Sequence, residues 1–363
     1  MSAFEKLNEM AKNPHKKTDD RPLVAVFPMW FPYELLVAAG LRASEWWGFE
    51  TETSRADAHY PAFVCTVVKA NFETVLADGA DIDGMVFPSA TCDSIQNSAG
   101  LFRRHFPDKF SAYFRMTQNP ESKAAATFLR HEIGRVKTDL EAWIGREITE
   151  DDLRSAIQSV NRFRAAVRNI LDKLAEGKVS VPVSRIYTAI KGAAADIGDE
   201  SAALLEQYAE EIEVTEPDGP CLMLVGMVPD PVDVLDMMEN AGAHIVGDDL
   251  GLGWRTFAVD ASEAGDPIDA LAQRLLDSPP CSSLHFASQR RADAVVERVH
   301  DLAADAVVFT RIKFCDPEAF DYPNVKKALD EAGIPNLLLE REVTTNADGA
   351  VATRVEAFLE QIS

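Results

Sequence analysis

Five cysteines are the residues of this sequence most suited to chemistry, and they lie at positions 65, 92, 221, 281 and 315. They form no CxxC pair and no even set, so a disulfide framework is not indicated. The seven histidines have neither HxH nor HxxxH spacing, which disfavours a mononuclear zinc site. The sequence also lacks the glycine-rich nucleotide loops and the GxSxG motif of serine hydrolases. Any chemistry of the cysteines is therefore metal or redox chemistry.

Two of the cysteines directly follow predicted strands and open predicted helices. Cys92 comes two residues after a strand at 83–90, and Cys315 comes directly after a strand at 306–314. Ligands of open parallel sheets bind outside the carboxyl ends of the strands, where helix N-termini present N–H groups and lower a thiol pKa. Each of these cysteines is followed by an aspartate. We predict equivalent sites that ligate iron or act as nucleophiles; the alternative is that each cysteine is a small buried apolar residue.

The other three cysteines carry weaker signals. Cys65 lies early in a predicted helix after Tyr60-Pro61, near the same crevice, and its position alone leaves its role open. Cys221 lies in an apolar strand, and Cys281 lies in the polar loop SPPCSS. For Cys221 and Cys281 we predict no chemical role.

The segments around the cysteines alternate between strands and helices, which predicts an α/β fold with parallel sheets. A second strand–helix cycle is expected to begin at 46–52. Between about 121 and 214 the pattern is helical, and Thr149 followed by three acidic residues is typical of a helix start. Apolar runs predict strands at 23–30, 83–90, 221–228, 306–314 and 336–343.

Four regions follow from this pattern. We predict an N-terminal arm (1–21), a first α/β lobe with Cys65 and Cys92 (22–118), a helical connector (119–215) and a second α/β lobe with Cys315 (216–363). The two lobes are expected to repeat the same logic of strands and helices.

Composition excludes several classes of function. The chain carries 59 acidic and 36 basic residues, a formal charge of −23, which argues against nucleic acid and against an anionic membrane surface as partners. The start of the chain lacks the apolar core of a signal peptide, and the longest apolar run, near CLMLVGMV, is too short to cross a bilayer. We therefore expect a cytoplasmic protein.

The sequence resembles the 2-hydroxyacyl-CoA dehydratase and benzoyl-CoA reductase family of iron–sulfur subunits, and the similarity extends over nearly the whole chain. The segments that carry it are FPYELLVAAG (31–40), YPAFVCTVVKA (60–70), VFPSATCDSIQNSAG (86–100), FCDPEAFDYPNVKKALDEAGIPNLLLERE (314–342) and TRVEAFLEQI (353–362).

The resemblance implies a [4Fe–4S] cluster held by Cys65, Cys92 and Cys315 between two flavodoxin-like lobes, with one iron that no protein thiolate binds. It also implies a larger homologous cluster-bearing subunit, an ATP-hydrolysing activator protein with its own [4Fe–4S] cluster, and a CoA thioester as substrate. Within the family, the stretch that includes Cys92 is most similar to the smaller catalytic subunit of ATP-dependent benzoyl-CoA reductases. The alternatives are a subunit of an (R)-2-hydroxyacyl-CoA dehydratase and an electron-relay protein without its own substrate.

Further residues near the predicted crevice have two interpretations each. Glu34, one turn into the first helix after the opening strand, is predicted to supply a proton or hold a ligand; the alternative is a solvated glutamate at a helix start. Arg255 is predicted to bind substrate, or else to pair with Asp248 or Asp249. Lys313 either favours an anionic cluster or faces solvent at a strand end.

The aromatic residues near the opening strand also have two interpretations. They are predicted either to shield the site or to contact the other subunit, with ordinary core packing as the alternative. These residues are Trp30, Phe31, Trp46 and Trp47.

Overall fold

The computed structural model of the chain describes residues 1–78, 81–286, 289–343 and 349–362. The strands are β1 Leu23–Val26, β2 Arg42–Glu45, β3 Gly84–Pro88, β4 Phe110–Phe114, β5 Lys178–Val179, β6 Val214–Thr215, β7 Cys221–Gly226, β8 His244–Leu250, β9 Ala306–Ile312 and β10 Asn336–Arg341. The helices are α1 Ala3–Lys12, α2 Glu34–Ala38, α3 Thr66–Asp78, α4 Asp93–His105, α5 Ala125–Ile144, α6 Glu150–Glu176, α7 Val183–Ala193, α8 Asp199–Glu210, α9 Asp233–Asn240, α10 Pro267–Asp277, α11 Arg290–Asp301, α12 Asp316–Glu331 and α13 Gly349–Ile362.

Two four-stranded parallel sheets confirm the predicted α/β fold. The first sheet has the order β2-β1-β3-β4, and the second has the order β8-β7-β9-β10. In each sheet the second strand lies on one side of the first and the third strand lies on the other side. Ligand crevices form where the order of strands reverses in this way. The sheets therefore offer equivalent crevices, at the ends of β1 and β3 and at the ends of β7 and β9.

Burial explains why the strands form where they do. Every residue of β1, β3 and β8 is buried, as expected for parallel strands covered on both faces. One large apolar cluster joins Val24 of β1, Leu224 of β7 and Ile157 of α6. The long helices therefore share one core with both sheets. This shared core fixes the position of one crevice relative to the other.

Several elements differ from the sequence-based expectation. The second strand lies at Arg42–Glu45, before the expected 46–52, because its buried arginine and glutamate hide the apolar signal. β8 is also absent from the prediction, since buried Asp248 and Asp249 interrupt its apolar run. The helix start at Thr149 is confirmed by a capping box with Asp152. Among the described helices, none has the length and apolar character needed to cross a bilayer.

The N-terminal segment forms a docked helix. Ser2 and Glu5 make a capping box at the start of α1, and Leu7 is fully buried. Gly192 of α7 permits the close approach, since a Cβ at this position would clash with the backbone oxygen of Leu7. The close packing of α1 against α7 therefore requires glycine at position 192.

A first prediction concerns this contact. Gly192→Ala is expected to push α1 away and to lower the free energy of unfolding by about 1–3 kcal/mol, as overpacking does. The control is Gly134→Ala in α5, where a Cβ would meet nothing within 4 Å. That variant should be neutral or more stable by up to about 1 kcal/mol. Denaturant unfolding measures both, and equal stability of Gly192→Ala and the parent chain would contradict the packing described.

Candidate metal centre formed by three cysteines

Cys65, Cys92 and Cys315 each stand directly before the first residue of a helix. Cys65 precedes α3, while Cys92 and Cys315 are the N-cap residues of α4 and α12. The carbonyl oxygen of each accepts the N–H of the residue four positions on, at 3.2, 3.2 and 2.9 Å respectively. Three positive helix ends therefore converge on three sulfur atoms.

The structure brings the three cysteines together in the walls of two adjoining cavities. The inner cavity, of about 40 Å³, is also lined by Trp47 and Ile312 and has an apolar character. The outer cavity, of about 330 Å³, has a more polar lining. The three sulfur-bearing residues thus lie between an apolar interior and a wider opening.

The inner cavity lies between the two crevices that the sheets define. Pro28, which follows β1, and Val228, which follows β7, both line it. The hydroxyl of Thr91 donates to the carbonyl of Pro28 at 2.9 Å, and the hydroxyl of Thr310 donates to the carbonyl of Val228 at 3.2 Å. Equivalent hydrogen bonds therefore hold the loop after β1 in the first half and the loop after β7 in the second half.

Backbone strain marks the same loops. Phe314, directly before Cys315, has a φ of 63°, and Met29 and Trp30 after β1 have φ values of 71° and 63°. Residues with a side chain rarely adopt this left-handed region, and such strain concentrates at functional sites. The chain turns sharply at Phe314 and so places Cys315 at the cavity.

Burial dominates the protonation of the three thiols. It raises the pKa of Cys92 to about 12, and it also raises the pKa values of Cys65 and Cys315. N–H groups of the first helical turns act in the opposite direction but do not overcome burial. The expectation that the helix ends lower the pKa of Cys92 and Cys315 is therefore wrong, because desolvation outweighs the dipole.

The three sulfurs are not gathered closely enough to bind one metal ion together. Thiolates on one tetrahedral zinc ion would lie about 3.8 Å apart, given a Zn–S bond of about 2.3 Å. Within the described residues, these three cysteines do not form a group whose ligand atoms all lie within 4.8 Å of one another. In a [4Fe–4S] cluster each thiolate would bind a different iron. Three thiols that line the same cavities supply the type of donor that such a group needs.

Glu34 lies outside the linings of both cavities. It is fully buried at the start of α2, and its Oε1 accepts a hydrogen bond from the guanidinium of Arg164, also buried, at 2.6 Å. The solvated helix-start alternative is therefore wrong. A role for Glu34 in proton supply or ligand binding stays a prediction, and the observed contact is an ion pair between α2 and α6.

Arg255 is also fully buried, at the end of the kinked turn Gly251–Arg255 that follows β8. Its Nε lies 3.6 Å from Oδ1 of Asp249, its Nη2 lies 3.5 Å from Oε1 of Glu318, and its Nη1 lies 3.0 Å from Sγ of Cys281. The pairing with Asp249 is thus present. Substrate binding by Arg255 stays a prediction, and Arg255 lines neither cavity.

The remaining sequence candidates fall in different places. Lys313 is about half exposed and lies 3.2 Å from a carboxylate oxygen of Glu342. Trp47 lines the inner cavity, and Trp46 packs in the core of the first sheet. Trp30 donates its indole N–H to the loop after Cys281. The aromatic residues therefore divide between core packing and the wall of the site.

Residues 281–283 and Glu318 border the site without a signal in the sequence. Cys281 is fully buried in its loop. Ser282 and Ser283 line the outer cavity, and the hydroxyl of Ser282 donates to Oε1 of Glu318 at 2.6 Å. A polar loop such as SPPCSS gives no indication of its neighbours, because its contacts are with residues distant in the sequence.

In the described part of the chain, the oxygen atoms of one group of carboxylates lie close enough to one another to hold a metal ion. Asp19, Asp196 and Glu200 have oxygen atoms within 4.8 Å of one another. The guanidinium of Arg21 lies 2.6 Å from Asp19 and 2.7 Å from Asp196. This arginine already supplies positive charge to the group, so the three cysteines are the stronger candidate site.

Comparison with known proteins places the chain in a family. The sequence-family model of the 2-hydroxyglutaryl-CoA dehydratase D-component matches residues 28–362 of this chain. The chain therefore belongs to this family. It is 29% identical to the (R)-phenyllactyl-CoA dehydratase beta subunit of Clostridium sporogenes over 99% of this chain and 98% of that one. It is 27% identical to one of the subunits of the benzoyl-CoA reductase of Thauera aromatica over 92% of this chain and 89% of that one.

The named relatives are subunits of dehydratase and reductase enzymes. Another, the lactoyl-CoA dehydratase beta subunit of Anaerotignum propionicum, is 28% identical over 98% of this chain and 97% of its own length. The chain is accordingly a subunit of an enzyme complex of the oxidoreductase or lyase type, and a partner subunit is implied.

A second prediction follows from the raised thiol pKa values. A group whose folded pKa lies above its unfolded value stabilises the fold at low pH and loses that contribution as pH rises. For Cys92 the window runs from 9.0, the ordinary value, to about 12. In the iron-free chain, the free energy of unfolding should fall in this window, by up to about 4 kcal/mol from Cys92 alone at 1.36 kcal/mol per pKa unit.

Anaerobic denaturant unfolding of the iron-free chain and of Cys92→Ala, at pH 7 and at steps up to pH 11, measures this effect. The variant should have a shallower fall above pH 9, whatever its constant offset at pH 7. Parallel curves for the two proteins would show that Cys92 titrates normally.

Proposed function

We propose that the chain is the cluster-bearing smaller subunit of a heteromeric enzyme that delivers low-potential electrons to a CoA thioester. Cys65, Cys92 and Cys315 are the proposed ligands of a [4Fe–4S] cluster, which supplies one-electron transfer and an iron free of protein thiolate. The observation that carries the proposal is that these three distant cysteines line the same two cavities. The equal strand orders of the sheets support two flavodoxin-like lobes around the cluster.

In this proposal the chain's own residues bind the cluster, compensate the negative charge of its sulfurs and shield it from water. The three buried thiols would bind the metal as thiolates and release their protons to solvent, because a coordinating thiol is deprotonated outright. First-turn N–H groups of α3, α4 and α12 then face anionic sulfur. Trp47, Val228 and Ile312 of the inner cavity exclude water on one side. The wider outer cavity leaves a route for a ligand or an electron donor.

The partners in the proposal are a larger homologous cluster-bearing subunit and an ATP-hydrolysing activator protein with its own [4Fe–4S] cluster. Phe314 and Phe320 line the outer cavity with 43% and 82% of their surface exposed, and Phe63, two residues before Cys65, is 68% exposed. Exposed apolar side chains at the rim of a site are typical of an interface. We assign this surface to the larger subunit.

A third prediction tests the cluster itself. In anaerobically purified protein, Cys65→Ala, Cys92→Ala and Cys315→Ala should each lose most of the iron and sulfide, since each removes one of three protein ligands. Cys221→Ala is the matched control, because Cys221 lies at the start of β7 outside both cavity linings. Iron and sulfide analysis gives the result. Retention of about four irons in all three variants would refute the assignment.

Two reactions fit the family, and reductant demand separates them. We propose two-electron reduction of an aryl-CoA such as benzoyl-CoA as one, and dehydration of an (R)-2-hydroxyacyl-CoA as the other. The matches to dehydratase beta subunits, which cover 97–98% of those subunits, support dehydration, and the match to a benzoyl-CoA reductase subunit supports reduction. Dehydration leaves the overall oxidation state unchanged, whereas reduction consumes two electrons per product.

A fourth prediction follows from this difference. The complete complex, supplied with ATP, activator and substrate, should turn over many times on catalytic reductant if it is a dehydratase, and should consume two electrons per product if it is a reductase. Spectroscopic titration of the reductant against product measures the ratio. If the isolated heterodimer binds no CoA ester and turns over no substrate, the chain is instead part of an electron relay.

A further inference from the structure

Beside the first turn of α12 lies a polar cluster that we call the Arg255 network, formed by buried Asp249, Arg255 and Glu318 and by half-buried Ser282. Arg255 is its centre, with one carboxylate on each side at 3.6 and 3.5 Å. The Nη2 of Arg255 also contacts the carbonyl oxygen of Gly226. A buried carboxylate is tolerated only when a charge or hydrogen bonds compensate it, and this network provides both for Glu318.

Glu318 is the member of the network closest to the cysteine site along the chain. It is the third residue of α12, the helix that Cys315 caps, and it is 5% exposed. Ser282, which donates to its carboxylate at 2.6 Å, lines the outer cavity together with Cys315. The carboxylate of Glu318 therefore belongs to the first helical turn that follows one of the three cysteines.

The network also reaches the other half of the molecule through residues 281–283. The Sγ of Cys281 lies 3.0 Å from Nη1 of Arg255 and 3.4 Å from Oγ of Ser283. The indole N–H of Trp30, in the loop after β1, donates to Oγ of Ser283 at 2.8 Å. Contacts from the loop after β1, through residues 281–283 and Arg255, thus help to hold the carboxylate of Glu318 in one position relative to the cysteine sulfurs.

We propose that Glu318 is a positioning residue whose carboxylate, held by Arg255 and Ser282, keeps the reduction potential of the group bound by the three cysteines low. Adding an electron to an anionic group beside a fixed negative charge in a site of low dielectric is unfavourable. A low potential is what electron delivery to a thioester requires. The inference rests on the proposed function, and it gives Arg255 the task of compensating a buried carboxylate rather than of binding substrate.

The test, and the fifth prediction, is an anaerobic redox titration of the complete heterodimer, followed by electron paramagnetic resonance. Glu318→Gln keeps the shape and an acceptor for Ser282 but removes the charge. It should retain the iron of the parent and raise the reduced-to-oxidised ratio at a fixed potential at least tenfold, a positive shift of 59 mV or more for a one-electron couple. The matched control is Glu331→Gln, which makes the same change of charge at the exposed end of α12 and should leave the ratio unchanged.

Ser282→Ala distinguishes an electrostatic role from a packing role. It removes the hydrogen bond to Glu318 but keeps the negative charge, which is then less well compensated, so the potential should move in the negative direction. Loosened packing alone would move both variants in the same direction. An unshifted or more negative potential in Glu318→Gln overturns the inference, and if that variant loses its iron, an unshifted Ser282→Ala overturns it. A parent protein without iron would instead contradict the proposed function.

Discussion

The desolvation of three sulfur atoms is the constraint on which the account of this chain depends. Burial raises the pKa values of Cys65, Cys92 and Cys315, so the thiols are held as neutral groups unless positive charge reaches them. The fold places three helix N-termini against these sulfurs, which contributes partial positive charge in the right direction. In the proposed function, a bound metal would supply the rest.

Parallel sheets explain how residues so far apart in sequence meet. Both sheets have the same strand order, and the loops at their points of reversal face one inner cavity through Pro28 and Val228. Cys92 follows β3 and Cys315 follows β9, which are the third strands of the two sheets. The site is therefore built from two equivalent strand ends, with Cys65 added from the helix after the second strand of the first sheet. The half with the first sheet thus supplies two of the three cysteines, and the half with the second sheet supplies one.

The sequence alone could predict much of this arrangement, and the failures have a physical cause. Apolar runs located β1, β3, β7 and β9, and the position of Cys92 and Cys315 after two of them indicated a shared crevice. β2 and β8 escaped notice because their buried charged residues break the apolar pattern. Of the Arg255 network, the sequence indicated only the pairing of Arg255 with Asp249, because Ser282 and Glu318 come from two other segments and join Arg255 only in the folded chain. The direction of the thiol pKa shifts required knowledge of burial, which a helix start does not reveal.

An anomalous-scattering map at the iron edge, from crystals of the heterodimer grown without oxygen, would locate the metal in this subunit. We expect iron density beside the inner cavity, within bonding distance of the sulfur atoms of Cys65, Cys92 and Cys315, and none at Cys221 or at the carboxylates of Asp19 and Asp196. Iron bound elsewhere in this subunit, or bound by only one of the three cysteines, would contradict this expectation.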